Sequence, residues 1–400
     1  MKLRALSLAV ALAASGQTFA TETDTKAQLD TLSKQLEALQ AKIKQLETAN
    51  EEQEEAIEAT AEAVEKTSGL AEIVNKVHIG GYGELHYNNL DGSGGASDKD
   101  EIDFHRFVLM FGYDFTDDIR FFSELELEHA LSGDDKPGEV ELEQAYIDFD
   151  INDSVTARGG LFLLPIGILN ETHEPATFYG VERNPVEKNI IPTTWWESGG
   201  GIYGEVAEGV RYDLYMHSGL KTSAEKSYNI RSGRQKSANA DADDFAYTAA
   251  IRYTAIPGLE LGGSFQYQGD MTQSEDPEAG SAFMLEGHAA YQKGQFGLRA
   301  LAAYWDLDGD GPADMGADEQ FGFFVEPSWR FNEEFGIFAR YNFWDNQAGE
   351  SSIESEKKQY DLGVNYWPHA QVVLKADYQI QDNENGKEQD GFNLGIGYHF

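Results

Sequence analysis

Hydrophobic and polar positions along this chain fall into three regimes, each with its own period. The first is short: an apolar run from Ala5 to Ala14 follows Lys2 and Arg4 and ends in Thr18-Phe19-Ala20. A charged start, an apolar centre and a small-residue exit mark residues 1–20 as an export signal cleaved after Ala20, with a short buried helix as the alternative. In the second regime, Leu29, Leu32, Leu36, Leu39, Ile43 and Leu46 recur at spacings alternating between three and four, the a/d seam of a coiled coil. The register continues through Asn50, Gln53, Ile57 and Val64, so the seam turns polar at its centre, a feature that sets register and oligomer state. Residues 21–72 are therefore expected to form a periplasmic coiled-coil helix that ends near Ser68-Gly69; a lone amphipathic helix folded against the following domain is the alternative.

In the third regime, residues 73–400, the period is two. Phe107, Leu109, Phe111, Tyr113 and Phe115 share one parity, and Arg106, Met110, Gly112 and Asp114 share the other. Ile119, Phe121, Leu125 and Leu127 alternate in the same way with Arg120, Glu124, Glu126 and Glu128. Sixteen such segments are expected to begin near residues 77, 101, 118, 138, 154, 197, 209, 243, 258, 280, 295, 318, 334, 355, 370 and 386. Tight turns such as Thr116-Asp117-Asp118 and Lys293-Gly294-Gln295 alternate with long polar connections at 88–100, 165–195 and 221–242. Short turns at one end and long loops at the other distinguish a membrane barrel from a soluble sandwich. The expected fold is all-β: a 16-stranded antiparallel transmembrane β-barrel preceded by a short α-helical coiled coil. The last segment, Phe392, Leu394, Ile396, Tyr398 and Phe400, ends on an aromatic residue, as outer-membrane barrels do, which implies delivery by the barrel assembly machinery. Outer-membrane lipid and lipopolysaccharide are then the surroundings.

Composition narrows the alternatives. After the N-terminus no run reaches the roughly 18 apolar residues that a spanning helix requires, so a helical membrane protein is excluded. Cysteine is absent, which removes disulfides, thiolate metal sites and cysteine nucleophiles. The net charge of −40 argues against nucleic acid as a partner. The acidity belongs to the barrel, since residues 77–400 hold 57 of the 70 acids and 22 of the 30 bases. Nine histidines are scattered without a helpful pairing to serine or carboxylate, so an enzyme is not expected.

If the apolar parity faces lipid, the bore receives Arg106, Arg120, Arg158, Arg211, Arg252, Arg299, Arg330, Arg340 and Lys375, interleaved with acids such as Asp148, Glu260, Glu326, Asp361 and Asp377. Guanidinium groups fork onto carboxylate and phosphate oxygens, so such an array selects anions; paired instead with cross-strand carboxylates, it only holds the wall. A separate stretch, DLDGDGPADMGADE, places Asp306, Asp308 and Asp310 before Gly311, with Asp314 nearby, matching the start of a calcium loop. Calcium in loop 306–318 is a candidate, although the twelfth position is Ala317 rather than a bidentate Glu.

The segment GLFLLPIGILNETHEPATFYGVERNPVEKNIIPTTWWESGG and the barrel around it resemble phosphate-selective porins O and P, and the helix ahead of the barrel is similar to that of trimeric dicarboxylate porins. The resemblance implies a homotrimer and passive uptake of small anions such as phosphate or dicarboxylates. The third long loop, 165–195, with three prolines after Pro165 and the pair Phe178-Tyr179, is expected to fold inward, as the third loop of general porins does, as an ordered constriction carrying His173, Glu174, Glu182, Arg183, Glu187 and Lys188; an external cap or trimer latch is the alternative. The competing expectation is structural: a barrel that tethers the outer membrane to the periplasm through its helix.

Overall fold

The computed structural model describes residues 22–400; the export signal expected at residues 1–20 lies outside the described residues. The chain divides between Asn75 and Lys76 into two units. The first is a single helix, α1 (Glu22–Lys76), whose 55 residues span about 80 Å at 1.5 Å per residue. Ser68-Gly69 does not end it, and the boundary expected at 72 falls at Lys76 instead. One glycine costs a helix only about 1 kcal/mol, which the long run of Glu, Ala, Lys and Gln around it outweighs. The seam side chains Leu29, Leu32, Leu36, Leu39, Ile43 and Leu46 are 49–64% exposed in the single chain.

The second unit is a closed antiparallel barrel. Its strands are β1 (Val77–Ser93), β2 (Lys99–Thr116), β3 (Ile119–Glu128), β4 (Val140–Asn152), β5 (Val155–Leu163), β6 (Trp196–Ala207), β7 (Val210–His217) and β8 (Ala246–Tyr253) in the first half. The second half holds β9 (Leu259–Gln268), β10 (Ala282–Lys293), β11 (Phe296–Leu307), β12 (Glu319–Arg330), β13 (Phe335–Asp345), β14 (Lys357–His369), β15 (Val372–Asn383) and β16 (Glu388–His399). All sixteen start within three residues of their expected positions. β1 pairs with β16 from Tyr82 opposite His399 to Ser93 opposite Glu388, so the sheet closes and no strand edge is left to lipid.

The two-residue period does what the expectation required. On β16, Phe392, Leu394 and Ile396 are 40–45% exposed on the outside, whereas Asn393 between them is buried in the interior. Two bulges interrupt the pattern away from the turns, besides four register shifts next to tight turns. Glu84 faces Arg106 but His86 faces Asp103, so Phe104 and His105 of β2 together oppose Leu85. On β4, Glu143 is the extra residue, between Gln144 opposite Glu124 and Leu142 opposite Leu125. Each bulge resets which parity faces inward and aims an additional polar side chain at the lumen.

One interior wall is apolar rather than polar. Met284, Leu301, Ala303, Trp305, Phe324 and Trp344, from β10 to β13, are buried in one cluster with Leu164, Ile166, Val186, Ile190, Ile191 and Trp195 of the β5–β6 connection. Those strands therefore carry a hydrophobic seat for a loop instead of a water-facing surface.

Candidate functional site

The β5–β6 connection, called L3 below, makes contacts that only a segment crossing the barrel interior can make. Its Glu171 forms an ion pair with Arg252 of β8. The carbonyl of Thr177 accepts a hydrogen bond from Arg299 of β11 at 2.7 Å, and that of Ile190 accepts one from the Trp305 indole at 3.0 Å. At the far side, Lys375 of β15 donates to the Gly180 carbonyl at 2.7 Å, Val181 donates its backbone N–H to Asp377 at 2.6 Å, and Glu182 meets His86 of β1 at 3.2 Å. Glycines on the inner wall make room: a Cβ at Gly397 would stand 2.4 Å from Pro175, and one at Gly322 2.9 Å from Ile190.

L3 also holds its own shape. The buried Glu187 carboxylate accepts the backbone N–H groups of Ile168 and Leu169, both at 2.7 Å, and the Asn184 side-chain amide at 2.8 Å. Asn184 in return accepts the Glu187 N–H at 2.8 Å and so starts the short helix α2 (Val186–Asn189). Burial still raises the Glu187 carboxyl above its ordinary value, against the pull of those donors. His173 is buried, and desolvation lowers its imidazole below the ordinary value. Its Nδ1 lies 3.1 Å from the Asn170 carbonyl, and its Nε2 is 2.7 Å from the Tyr82 hydroxyl, which also faces Glu124 at 3.2 Å. Glu174 is half-buried beside it.

A cavity of about 440 Å³ lies in the lumen between L3 and the wall formed by β1 to β4 and β14 to β16. Glu182, Arg183 and Lys188 line it, as does Arg106. The other eight expected pore-lining bases lie outside this cavity. Arg120 binds Asp150 at 2.7 Å, and Arg158 grips Asp148 at 2.8 and 2.9 Å while lying 3.7 Å from the Tyr146 ring centre. Arg211 forks onto Asp213 at 2.7 and 3.1 Å. Arg340 pairs with Asp361 at 3.0 Å and Glu326 at 3.3 Å, and Arg330 lies over Trp367. Arg252, Arg299 and Lys375 are the anchors of L3 already described. Arg106 itself is buried against Glu84 at 2.7 Å and Glu126 at 3.7 Å. The strand arginines thus hold the wall and the loop, the second of the two readings open from the sequence.

The cations that do face the cavity with little compensation come from loops. Arg183 of L3 and Arg231 and Arg234 of the β7–β8 connection (residues 218–245) converge on one stretch of backbone. Arg183 donates to the Thr194 hydroxyl at 2.8 Å, Arg231 to the Thr193 carbonyl at 2.7 Å, and Arg234 to the Thr194 carbonyl. Their hydrogen bonds go to Thr193, Thr194 and the Lys188 carbonyl rather than to carboxylates, and two nitrogens of Arg183 and one of Arg234 are buried without a hydrogen-bond partner. Burial, reinforced by the charges of its two neighbours, pushes Arg231 below its ordinary value; Arg183 and Arg234 shift the same way. Sequence reasoning missed Arg231 and Arg234 because they sit in a polar loop without periodicity.

Glu182 has the opposite character. Burial alone would raise it, but the hydrogen bond and charge of His86, with His105 and Lys188 beyond, hold it well below the usual carboxylate range. Lys236 neutralises Glu139 at 2.9 Å and also Glu141 at the cavity rim. Neutral amides, Gln359, Gln379, Gln381 and Gln389, complete the opposite wall.

The calcium candidate does not assemble. Residues Asp310–Asp314 form the short helix α3, Ala317 is packed into the apolar cluster, and Asp308, Asp310 and Asp314 point to solvent. Among the described residues, Asp306, Asp308, Asp310 and Asp314 do not appear in any group of three or more metal-ligating side chains whose donor atoms come within 4.8 Å.

Comparison with known proteins agrees with the barrel. An uncharacterized protein of Aquifex aeolicus (strain VF5) is 33% identical over 360 residues, 82% of this chain and 81% of its own. The DcaP outer membrane channel of Acinetobacter baumannii superposes with a TM-score of 0.57 at 14% identity, over 81% of this chain and 97% of its own. An anion-selective porin from Comamonas acidovorans gives 0.56 at 13% identity, over 81% and 99%. The sequence pattern of the Gram-negative porin family matches residues 56–386, so this chain belongs to the Gram-negative porins and forms an outer-membrane channel for small solutes.

Proposed function

We propose that the channel favours small anions, of the phosphate or dicarboxylate kind, and that it passes them by diffusion over the Arg183, Arg231 and Arg234 cluster. The observation that supports this is the set of three guanidinium groups facing the cavity from two loops, hydrogen-bonded to neutral threonine groups and lacking carboxylate partners. Among the described residues, none of the three has a carboxylate within ion-pair distance, and a carboxylate or phosphate group completes their hydrogen bonding through forked contacts. Selectivity then resides in the loops at the constriction, while the strand arginines are paired with acids of the wall. The likeness to a solved anion-selective porin is compatible with this reading but rests on fold alone.

The test is the reversal potential of the purified protein in planar bilayers across a salt gradient, with phosphate and a dicarboxylate added as blockers. Anion preference with block, weakened about tenfold when Arg231 and Arg234 become Gln, is the expected result. Cation preference without block overturns the anion reading and leaves the channel intact. A protein that conducts nothing returns the tether reading to first place.

For α1 we read the exposed heptad seam as a trimerising coiled coil on the periplasmic side. Deleting residues 21–70 then reduces the trimer fraction without abolishing conductance.

A further inference from the structure

Three histidines meet on the cavity wall where the β2 bulge turns the chain. His86 of β1 and His105 of β2 stack with ring centres 4.6 Å apart, and His129, just past β3, meets the His105 ring edge-on at 5.7 Å. Asp103 of β2 stands between two of them: one carboxylate oxygen, Oδ2, lies 3.3 Å from His105 Nδ1 and 2.7 Å from His129 Nδ1. We propose that Asp103, His105 and His129 form a binding site for a divalent transition cation of the zinc class on the lumen wall, with its remaining coordination positions open to the channel.

The chemistry of the donors selects the class of ion. Two imidazoles and one carboxylate suit Zn²⁺, Cu²⁺ or Ni²⁺, whereas calcium and magnesium call for oxygen ligands only. Spacing is appropriate too: donors held about 2.0 Å from a tetrahedral ion stand about 3.3 Å from one another, and these three residues place one donor atom each within 4.8 Å of the others. The side chains are 20–33% exposed and His105 and His129 line the cavity, so an ion reaches them from the lumen without unfolding anything.

Backbone geometry serves the same arrangement. On a regular strand, Asp103 and His105 would share the parity of the lipid-facing Phe107 and Leu109; the extra residue of the bulge turns them inward. His129 adopts φ +51°, a left-handed conformation unfavourable for an L-residue, while its N–H donates to the His105 carbonyl at 3.2 Å. That bend returns the imidazole over β2 instead of letting the chain leave toward the next loop. The anion reading rests on Arg183, Arg231 and Arg234 and not on this cluster, so the cation site stands or falls separately from it.

The experiment is equilibrium binding of Zn²⁺ to the full-length protein, purified without a histidine tag, alongside the H105N/H129N and D103N variants. Folding of each is checked by the heat-modifiable gel mobility of the closed barrel. One zinc per chain, bound at least about tenfold more weakly by either variant, is the expected result. Cu²⁺ in place of zinc should show electron-spin couplings to two imidazole nitrogens, lost in H105N/H129N. Absence of saturable zinc binding to the folded protein, or equal affinity in the double variant, overturns the proposal. Both readouts are independent of ion flow, so a channel without anion preference does not bear on them.

Discussion

Lys375 and Gly180 join the barrel wall to the tip of L3: the ammonium donates to the Gly180 carbonyl at 2.7 Å and lies 3.7 Å from the centre of the Phe178 ring. A buried cation with one hydrogen bond and one aromatic face is a fastening, because both partners are on the loop and the lysine is on the strand. Replacing it with methionine keeps the stem and removes both interactions. A charge-assisted hydrogen bond is worth about 1.5–3 kcal/mol, so L3 should detach more often in Lys375→Met. Single-channel recordings should show larger conductance and added open-state noise; an unchanged trace would mean that the other anchors suffice.

Val181 and Gly395 provide a covalent version of the same test. A Cβ built at Gly395 lies 3.6 Å from the Val181 Cβ, within the range a disulfide spans. The chain has no cysteine of its own, so the V181C/G395C pair forms its bond without competitors. Oxidation should proceed readily and leave conductance near the native value, since the bond only fixes a contact already made. If the pair stays reduced under air, or oxidation closes the channel, L3 rests elsewhere in the membrane.

Glu187 predicts a local failure of the loop rather than of the barrel. In Glu187→Ala the amides of Ile168 and Leu169 lose their acceptor, at about 1–3 kcal/mol for each buried group left unpaired. Limited proteolysis should then cut within residues 165–195 while the strands remain protected. Gly167→Ala should resemble it, because the residue sits at φ +75° and its Cβ would stand 2.5 Å from a Glu187 carboxylate oxygen.

Acid acts on the loop through Glu182. Its folded-state value is depressed, so it contributes stability that is fully present above the unfolded carboxylate value of about 4.3 and is lost only as the pH falls through the lower folded value. The share of L3 protection that Glu182 supplies should therefore hold down to about pH 4 and be lost below it. Glu182→Gln should show at neutral pH the behaviour that the native protein shows only in strong acid. A native transition near pH 6 would place the sensitive group elsewhere.

The alternation of side chains by itself determined the barrel. With a period of two and lipid on one side, the number of apolar segments and the spacing of turns leave little freedom, and each strand start was legible to within three residues. The heptad seam was equally plain, because its signal is local. Tertiary structure alone decided which charges reach the channel. Two bulges reset the parity, turning Asp103, His105 and Glu143 inward, and a bulge is written in the pairing of two strands rather than in either one. Most strand arginines looked available because their acids lie on neighbouring strands or on L3, Arg211 with Asp213 of its own strand being an exception, and a distance such as that between Arg340 and Asp361 exists only after the strands pair. Arg183, Arg231 and Arg234 meet because L3 and the β7–β8 connection pack at Thr193 and Thr194 inside a closed barrel. That juxtaposition is set by burial of Val186, Ile190 and Trp195 against the inner wall, an energy that no periodicity in the loop itself reveals.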